Sequence, residues 1–198
     1  MFDDYNNVQK AVLETTLRLI NKKELQATSM ALISKESGIS TGSIYYYFKS
    51  KEEIVNELYI AVVKESTKAV LKDFYTDASI RNRFEQAWDH LIRISMEQPE
   101  GFQFMEQYSF SPYIEYETKK TATEANWCGP LAILYKEAIQ NNIFISLDPQ
   151  LMVQMHYGSI VYLLKAHFQN SILLTDDLIK IVIDSCWNSV SKKSNGFS

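Results

Sequence analysis

The sequence predicts an all-α protein, and three observations predict it. Nearly every informative window repeats its apolar residues at helical spacing, no alternating strand pattern of useful length occurs, and helix-start signals recur along the chain. Six glycines and four prolines in 198 residues supply too little turn chemistry for most all-β folds and too regular a composition for a disordered chain.

Each element has its own local reason. Val8, Ala11, Val12, Leu19 and Ile20 fall on one stripe of a first helix over residues 4–21. Residues 29–36 read as a short helix with Ala31, Leu32 and Ile33 as apolar content. Gly38 suits the turn after it, Ile39 is an apolar plug in that turn, and Ser40 caps a second short helix through Tyr47. Ser50-Lys51-Glu52-Glu53 has the spacing of a capping box and opens a long helix over 51–75. Asp77 is placed to cap the next helix, whose apolar face is Ile80, Phe84, Ala87, Trp88, Leu91 and Ile94. Gly129-Pro130, inside a helical stretch, is expected to kink or break it. Asp148-Pro149 is an N-cap followed by proline at the first helical position, opening a helix over 149–168. Thr175 caps the last helix, with Asp176 and Asp177 in its first turn; Leu178, Ile181, Val182, Cys186 and Val190 line it before it frays over 192–196.

Composition bounds the function. Cys128 and Cys186 cannot form a disulfide framework, and no Cys/His cluster with metal-ligand spacing is present. The start, Met1-Phe2-Asp3-Asp4-Tyr5-Asn6-Asn7, is acidic and polar, unlike a secretory or transit leader. The longest apolar run, from Ile160 to Leu164, is far shorter than the ~20 residues that span a bilayer. A cytoplasmic protein with no membrane partner and no cofactor is expected. No G-x-S-x-G, HExxH or phosphate-cradling glycine loop occurs, and His90, His156 and His167 are far apart, so catalysis is not expected.

The stretch between Thr28 and Glu53 differs from the rest. Two short helices joined by a glycine-containing turn, after a stabilising helix, make the helix-turn-helix plan. Thr28-Ser29, Ile33, Gly38-Ile39-Ser40, Gly42, Ile44-Tyr45, Tyr47-Phe48 and Lys51 form a spaced pattern that closely resembles the DNA-binding signature of the TetR/AcrR family of transcriptional regulators. Three departures occur: Ser37 stands where alanine is commoner, Leu32-Ile33 replaces the usual Ile-Ala order, and Lys23-Glu24-Leu25 replaces a Gly-aromatic step.

The resemblance implies a DNA-binding domain over 1–50 and a regulatory and dimerising domain over 51–198, with 51–75 the connecting helix. A recognition helix presents its N-terminal residues to base edges in the major groove. Ser40, Thr41, Gly42 and Ser43 are small and polar there, so the backbone can approach closely. Amide groups at this helix start and at Thr28-Ser29 can meet phosphates. Tyr45 and Tyr46 lie about 100° apart on one turn, and the resemblance places such tyrosines, with Lys51, on the DNA backbone. Tyr47 and Phe48 are assigned to packing. Taken singly, each of these residues also reads as an ordinary turn, core or solvated position, and a helical interaction protein without DNA binding is the alternative.

Charge supports the DNA reading modestly. The chain nets −4, with 20 basic and 24 acidic side chains, but residues 1–53 carry seven of each and the window 26–51 nets +2. Nonspecific affinity should be low, with backbone and hydroxyl donors carrying much of the phosphate recognition.

Beyond the reading head, Phe102, Phe104, Met105, Tyr108, Phe110, Tyr113 and Tyr116 form an aromatic region, and the run 99–114 resembles a C-terminal subgroup of TetR-like regulators. A small apolar or aromatic effector is expected among Phe104, Met105, Tyr108, Trp127, Met155 and Tyr162, although each ring also reads as plain core. Glu106 or Glu124 could instead pair with a cationic effector. The last two helices carry the expected homodimer face: Leu151, Met155, Ser159, Tyr162 and Leu163 on one, Leu178, Ile181, Val182, Ser185 and Ser189 on the other, with Gly158 allowing close approach. The expectation is a repressor that binds a palindromic duplex DNA operator as a homodimer and is released by an unidentified small-molecule effector.

Overall fold

The computed structural model describes residues 1–124 and 126–192. Its helices are α1 (Asn7–Lys23), α2 (Met30–Ser37), α3 (Thr41–Tyr47), α4 (Lys51–Val70), α5 (Ile80–Glu97), α6 (Pro99–Tyr108), α7 (Tyr116–Glu124), α8 (Cys128–Gln140), α9 (Pro149–Phe168) and α10 (Asp176–Val190). Among the described residues the β content is one isolated antiparallel bridge, Phe144 with Ser191. The fold is all-helical, as the patterning predicts.

Most helix starts follow the local chemistry. The side chains of Ser29, Ser40, Asp148 and Thr175 each accept a backbone N–H at a helix start. At α1 the cap is Asn6, whose side chain accepts from Val8 and Gln9 while Gln9 closes a capping box, so the helix starts three residues later than the stripe suggests. Asp77 is not the cap of α5. Ser79 sits directly before the first helical residue, and its Oγ accepts from the Asn82 amide at 3.2 Å. Helix α4 ends at Val70, ahead of the expected 75, because the chain turns through Asp73 at φ 58° and buries Phe74. Gly129-Pro130 does not kink a helix but begins one. Pro130 falls in the first turn of α8, where its missing N–H removes no intrahelical bond. Of the expected frayed tail, only Lys192 lies within the described residues; its amide donates to the Ile143 carbonyl at 2.9 Å.

The helices gather into two compact units, which do not follow the expected division at 50/51. One comprises Met1–Glu65 and the described part of Gln98–Ala125; the other comprises Ser66–Glu97 and the described part of Asn126–Ser198. In the first, Val12, Leu13, Ile20, Ile33, Ile44 and Leu58 share one buried cluster with Phe104, Tyr108, Ile114 and Ala122. Helix α6 thus packs with the helix-turn-helix elements. A Cβ at Gly101 would sit 2.9 Å from the terminal methyl of Met1, the mobile end of a flexible side chain, and at ordinary contact distance, 3.6 Å, from Val62, so this packing does not hang on glycine there.

The second unit is built around aromatic rings. Phe84, Trp88, Tyr135 and Phe144 are fully buried, with Phe84 against Trp187 at 5.1 Å and Trp88 against Trp127 at 5.8 Å between centroids. A hydrogen-bonded chain threads this core: Trp88 Nε1 donates to Tyr135 Oη (2.9 Å), which meets His156 Nδ1 (2.6 Å), while His156 Nε2 meets Ser189 Oγ (3.0 Å). Ser189 Oγ donates onward to the Cys186 carbonyl at 2.7 Å. Trp88 can only donate, so one direction satisfies every member: Tyr135 donates to Nδ1, and Nε2–H donates to Ser189. The imidazole is therefore held neutral, and burial pushes its pKa down to about 4.

Candidate nucleic-acid interface

The reading head is a rigid frame carrying an exposed polar edge. Ile33 anchors α2, Ile44 anchors α3, and Phe48 closes the end of α3, all of them buried. Between the helices Gly38 stands at φ 71°, a left-handed conformation that glycine adopts without a Cβ penalty. Ser34 staples the turn: its Oγ donates to the Ile39 carbonyl at 2.7 Å and accepts from Thr41 Oγ1 at 3.2 Å. Ser37 Oγ accepts from the Ile39 amide at 3.3 Å, so the serine found where alanine is commoner ties the turn. The roles of Ser34 and Ser37 were not evident in the sequence, since polar residues inside a short helix carry no signal for a bond made across a turn.

At the start of α3, Ser40 Oγ accepts from the Ser43 amide (3.1 Å) and meets Ser43 Oγ at 2.8 Å. Thr41, Gly42 and Ser43 are exposed. A Cβ on Gly42 would meet nothing within 4 Å, so no packing within the chain demands glycine there, and the space lies open to a partner. Tyr46 is 82% exposed and Tyr45 50%; the Tyr46 ring packs edge-on against Tyr47 at 4.9 Å. Tyr47, assigned from sequence to packing, is itself exposed at 36%, whereas Phe48 is buried. Ser40, Thr41, Gly42, Ser43, Tyr45 and Tyr46 thus share one short, exposed element, and Ser29 stands exposed as the cap of α2.

Two expected phosphate contacts have other employment. Thr28 is fully buried: its hydroxyl donates to the Glu24 carbonyl at 2.9 Å and its amide to the Leu25 carbonyl at 3.1 Å. It therefore offers DNA no free donor, and its work is to close the connection between α1 and α2. Lys51 Nζ donates to the Leu25 carbonyl at 3.0 Å, tying the start of α4 to the same connection. An ammonium has three donors, so this bond leaves two for a phosphate.

The six residues expected to line an effector site do not come together in one unit. Phe104 and Tyr108 are buried in the first unit with Met105 packed beside them, and Trp127 is buried in the second. Met155 and Tyr162 stand on an exposed face of α9, 57% and 77% exposed, because the helix turns Met152, His156 and Ile160 inward instead. Elsewhere in the second unit a groove of about 410 Å³ runs between α5 and α10, lined by Glu85, Asp89, His90, Lys180 and Asp184 among others. Arg81 bonds Glu85 and Asp184 at one part of it, and Arg93 bonds Asp89 and Asp176 at another. No helix among the described residues is long and apolar enough to cross a membrane.

Known proteins share both the sequence pattern and the fold. The profile described as "Bacterial regulatory proteins, tetR family" matches residues 12–58, and that described as "Tetracyclin repressor-like, C-terminal domain" matches residues 59–192. An uncharacterized HTH-type transcriptional regulator of Haemophilus influenzae is 20% identical over 186 residues, covering 94% of this chain and 97% of that protein. The HTH-type transcriptional regulator BetI of Vibrio atlanticus is 36% identical over 59 residues, 30% of each chain. The crystal structure of a TetR family transcription regulator from Marinobacter aquaeolei superposes with a TM-score of 0.84 at 24% identity, covering 94% of this chain and 96% of that one. Proteins of this family are transcription regulators and not enzymes. With an exposed, hydroxyl-rich recognition element on a rigid helix-turn-helix frame and family profiles matching from residue 12 to residue 192, the chain belongs to the TetR family of DNA-binding transcriptional regulators.

Proposed function

We propose that the chain is a repressor that binds a palindromic operator as a homodimer, in the cytoplasm, and leaves the DNA when a small apolar or aromatic effector binds. The observation that carries the reading is the exposed edge of α3. Small hydroxyl residues, a Gly42 with open space around it and the exposed ring of Tyr46 meet there on one solvent-facing element. Such an edge fits the major groove with its amides near phosphates.

Dimerisation is supported by α9 and α10. Leu151, Met155, Gly158, Ser159 and Tyr162 are exposed on one face of α9, and Ile181, Ser185 and Ser189 on one face of α10. An apolar stripe broken by small residues suits close helix packing against a second copy. Two copies present two recognition helices, which an operator with half-sites roughly 34–36 Å apart would match. For the effector, the aromatic core of the second unit supports an apolar ligand near Trp127, whose ring packs on Trp88 and on Tyr157 at 5.4 Å. An effector that favours a state with misplaced reading heads lowers DNA affinity by population shift.

Selection from random duplex DNA with the full chain tests the reading. Enrichment of a palindrome supports it, and no enrichment refutes DNA recognition by α3. Sedimentation of a monomer at micromolar concentration refutes the dimer, and thermal-shift screening against apolar metabolites with no stabilised case refutes the effector.

A further inference from the structure

The backbone is strained where α1 hands over to α2. Glu24 stands at φ 64° and ψ 162°, a region that residues with a Cβ scarcely populate and that glycine occupies freely. The family pattern carries glycine within this step; this chain carries Lys23-Glu24-Leu25. Glu24 is five residues ahead of Ser29, the cap of α2, so its torsion sets where that helix start lies.

Four side chains hold the strained step from outside. Thr28 Oγ1 donates to the Glu24 carbonyl (2.9 Å), and Lys51 Nζ donates to the Leu25 carbonyl (3.0 Å). The Leu25 amide donates to Tyr108 Oη at 3.3 Å, and Gln26 Nε2 donates to Tyr113 Oη at 3.0 Å. The last two come from α6 and the loop after it, more than 80 residues away in sequence yet within the same compact unit. That loop is itself pinned to α4: Asn56 Nδ2 donates to the Tyr113 carbonyl at 3.2 Å, and Asn56 Oδ1 accepts from the Glu115 amide at 2.9 Å. Tyr108 is buried, so its hydroxyl is a fixed acceptor and not a wandering surface group.

We propose that Tyr108, supported by Tyr113, is a positioning residue for DNA binding: it holds the strained Glu24–Leu25 backbone so that the start of α2 is set for the phosphate backbone. The inference rests on reading the α2 start and α3 as the DNA face. Segment 98–115 then belongs to the DNA-binding machinery although it lies outside the helix-turn-helix sequence. Removing the Tyr108 hydroxyl lets the step relax toward an ordinary torsion and displaces the α2 start. A glycine at 24 has no Cβ to strain, so it keeps the connection in place without the hydroxyl.

The test is binding of the 198-residue chain to a mixed-sequence duplex of roughly 40 bp at low salt, long enough for both recognition helices of a dimer and the flanking phosphates. Tyr108→Phe is expected to weaken binding about tenfold, the factor that relief of one strained residue's torsion would produce. Glu24→Gly in the same chain restores binding to within about twofold of the parent. Glu24→Gln, which removes the same charge but keeps the Cβ, does not restore it, so rescue by lost repulsion from phosphate is separated from rescue by lost strain. Thr28→Val, which removes the bond to the Glu24 carbonyl at nearly constant volume, shows the same weakening and the same rescue, and covers the case in which Tyr108→Phe folds poorly. Parent-like binding by Tyr108→Phe, or a loss that Glu24→Gly fails to restore, overturns the proposal. Tyr46→Ala is measured alongside: if it too binds like the parent, the α3 reading falls, whereas a loss in Tyr46→Ala with none in Tyr108→Phe removes only this inference.

Discussion

Protonation of His156 should destabilise the second unit, and the size of the effect can be worked from its surroundings. The ring is 5% exposed, bracketed by Phe84 and Trp88 at 6.0 Å, with Tyr135 donating to Nδ1 and Ser189 accepting from Nε2. Among the described residues the ring nitrogens bond Tyr135 and Ser189 and no carboxylate, and desolvation lowers the pKa from 6.5 to about 4. The unfolded chain therefore binds the proton more readily than the folded one between these values. Stability from this group is complete above pH 6.5 and is lost as pH falls toward 4. Linkage puts the loss at about 2 kcal/mol at pH 5 and about 3 kcal/mol at pH 4, per chain. Urea unfolding at fixed protein concentration from pH 8 to pH 4.5 measures it, with His156→Gln as the reference that subtracts every other titrating group. The variant should start less stable, since it breaks the Trp88–Tyr135–His156–Ser189 chain, but should lose less on acidification. Parallel pH profiles for the two proteins, or an imidazole resonance that titrates near 6.5 in the folded state, would refute the reasoning.

Tyr46→Ala should weaken DNA binding about tenfold with an unchanged melting temperature, because its exposed ring supports no core. Lys51→Ala should lower both affinity and stability, the latter by about 1 kcal/mol, because Nζ also bonds the Leu25 carbonyl; gel-shift titration and thermal unfolding separate the two. Ile181→Glu should shift the protein to monomer in sedimentation without loss of helix content, since Ile181 is 59% exposed and lies on the face assigned to a second copy. Asn56→Ala should cost about 1–3 kcal/mol in chemical unfolding: it removes a buried side chain that donates to the Glu52 and Tyr113 carbonyls and accepts from Glu115, leaving the last two without their partner.

Local chemistry explains why most helix starts were legible. A cap acts within three residues, so Ser40, Asp148 and Thr175 were readable from their neighbours alone, whereas Ser29, read as the first residue of its helix, is the cap before it. Asp77 and Pro130 show where that reasoning fails. Each residue type has more than one use near a helix end, and position to within one or two residues, which pattern does not supply, decides between them. The aromatic residues show a different limit. Aromatic density between 102 and 127 was real, but density along a chain does not say which core a ring enters.

By itself the sequence determined the helical class, the two-helix reading motif with Gly38 at its turn, and the small polar start of α3, because periodicity, capping and a left-handed glycine are properties of a few neighbouring residues. Only the tertiary structure decided that α6 joins the reading head, that Thr28 is buried in its frame, and that Tyr108 and Tyr113 reach back across more than 80 residues to hold Leu25 and Gln26. Those bonds depend on how helices distant in the chain pack around a shared core, and no window of neighbouring residues encodes that meeting.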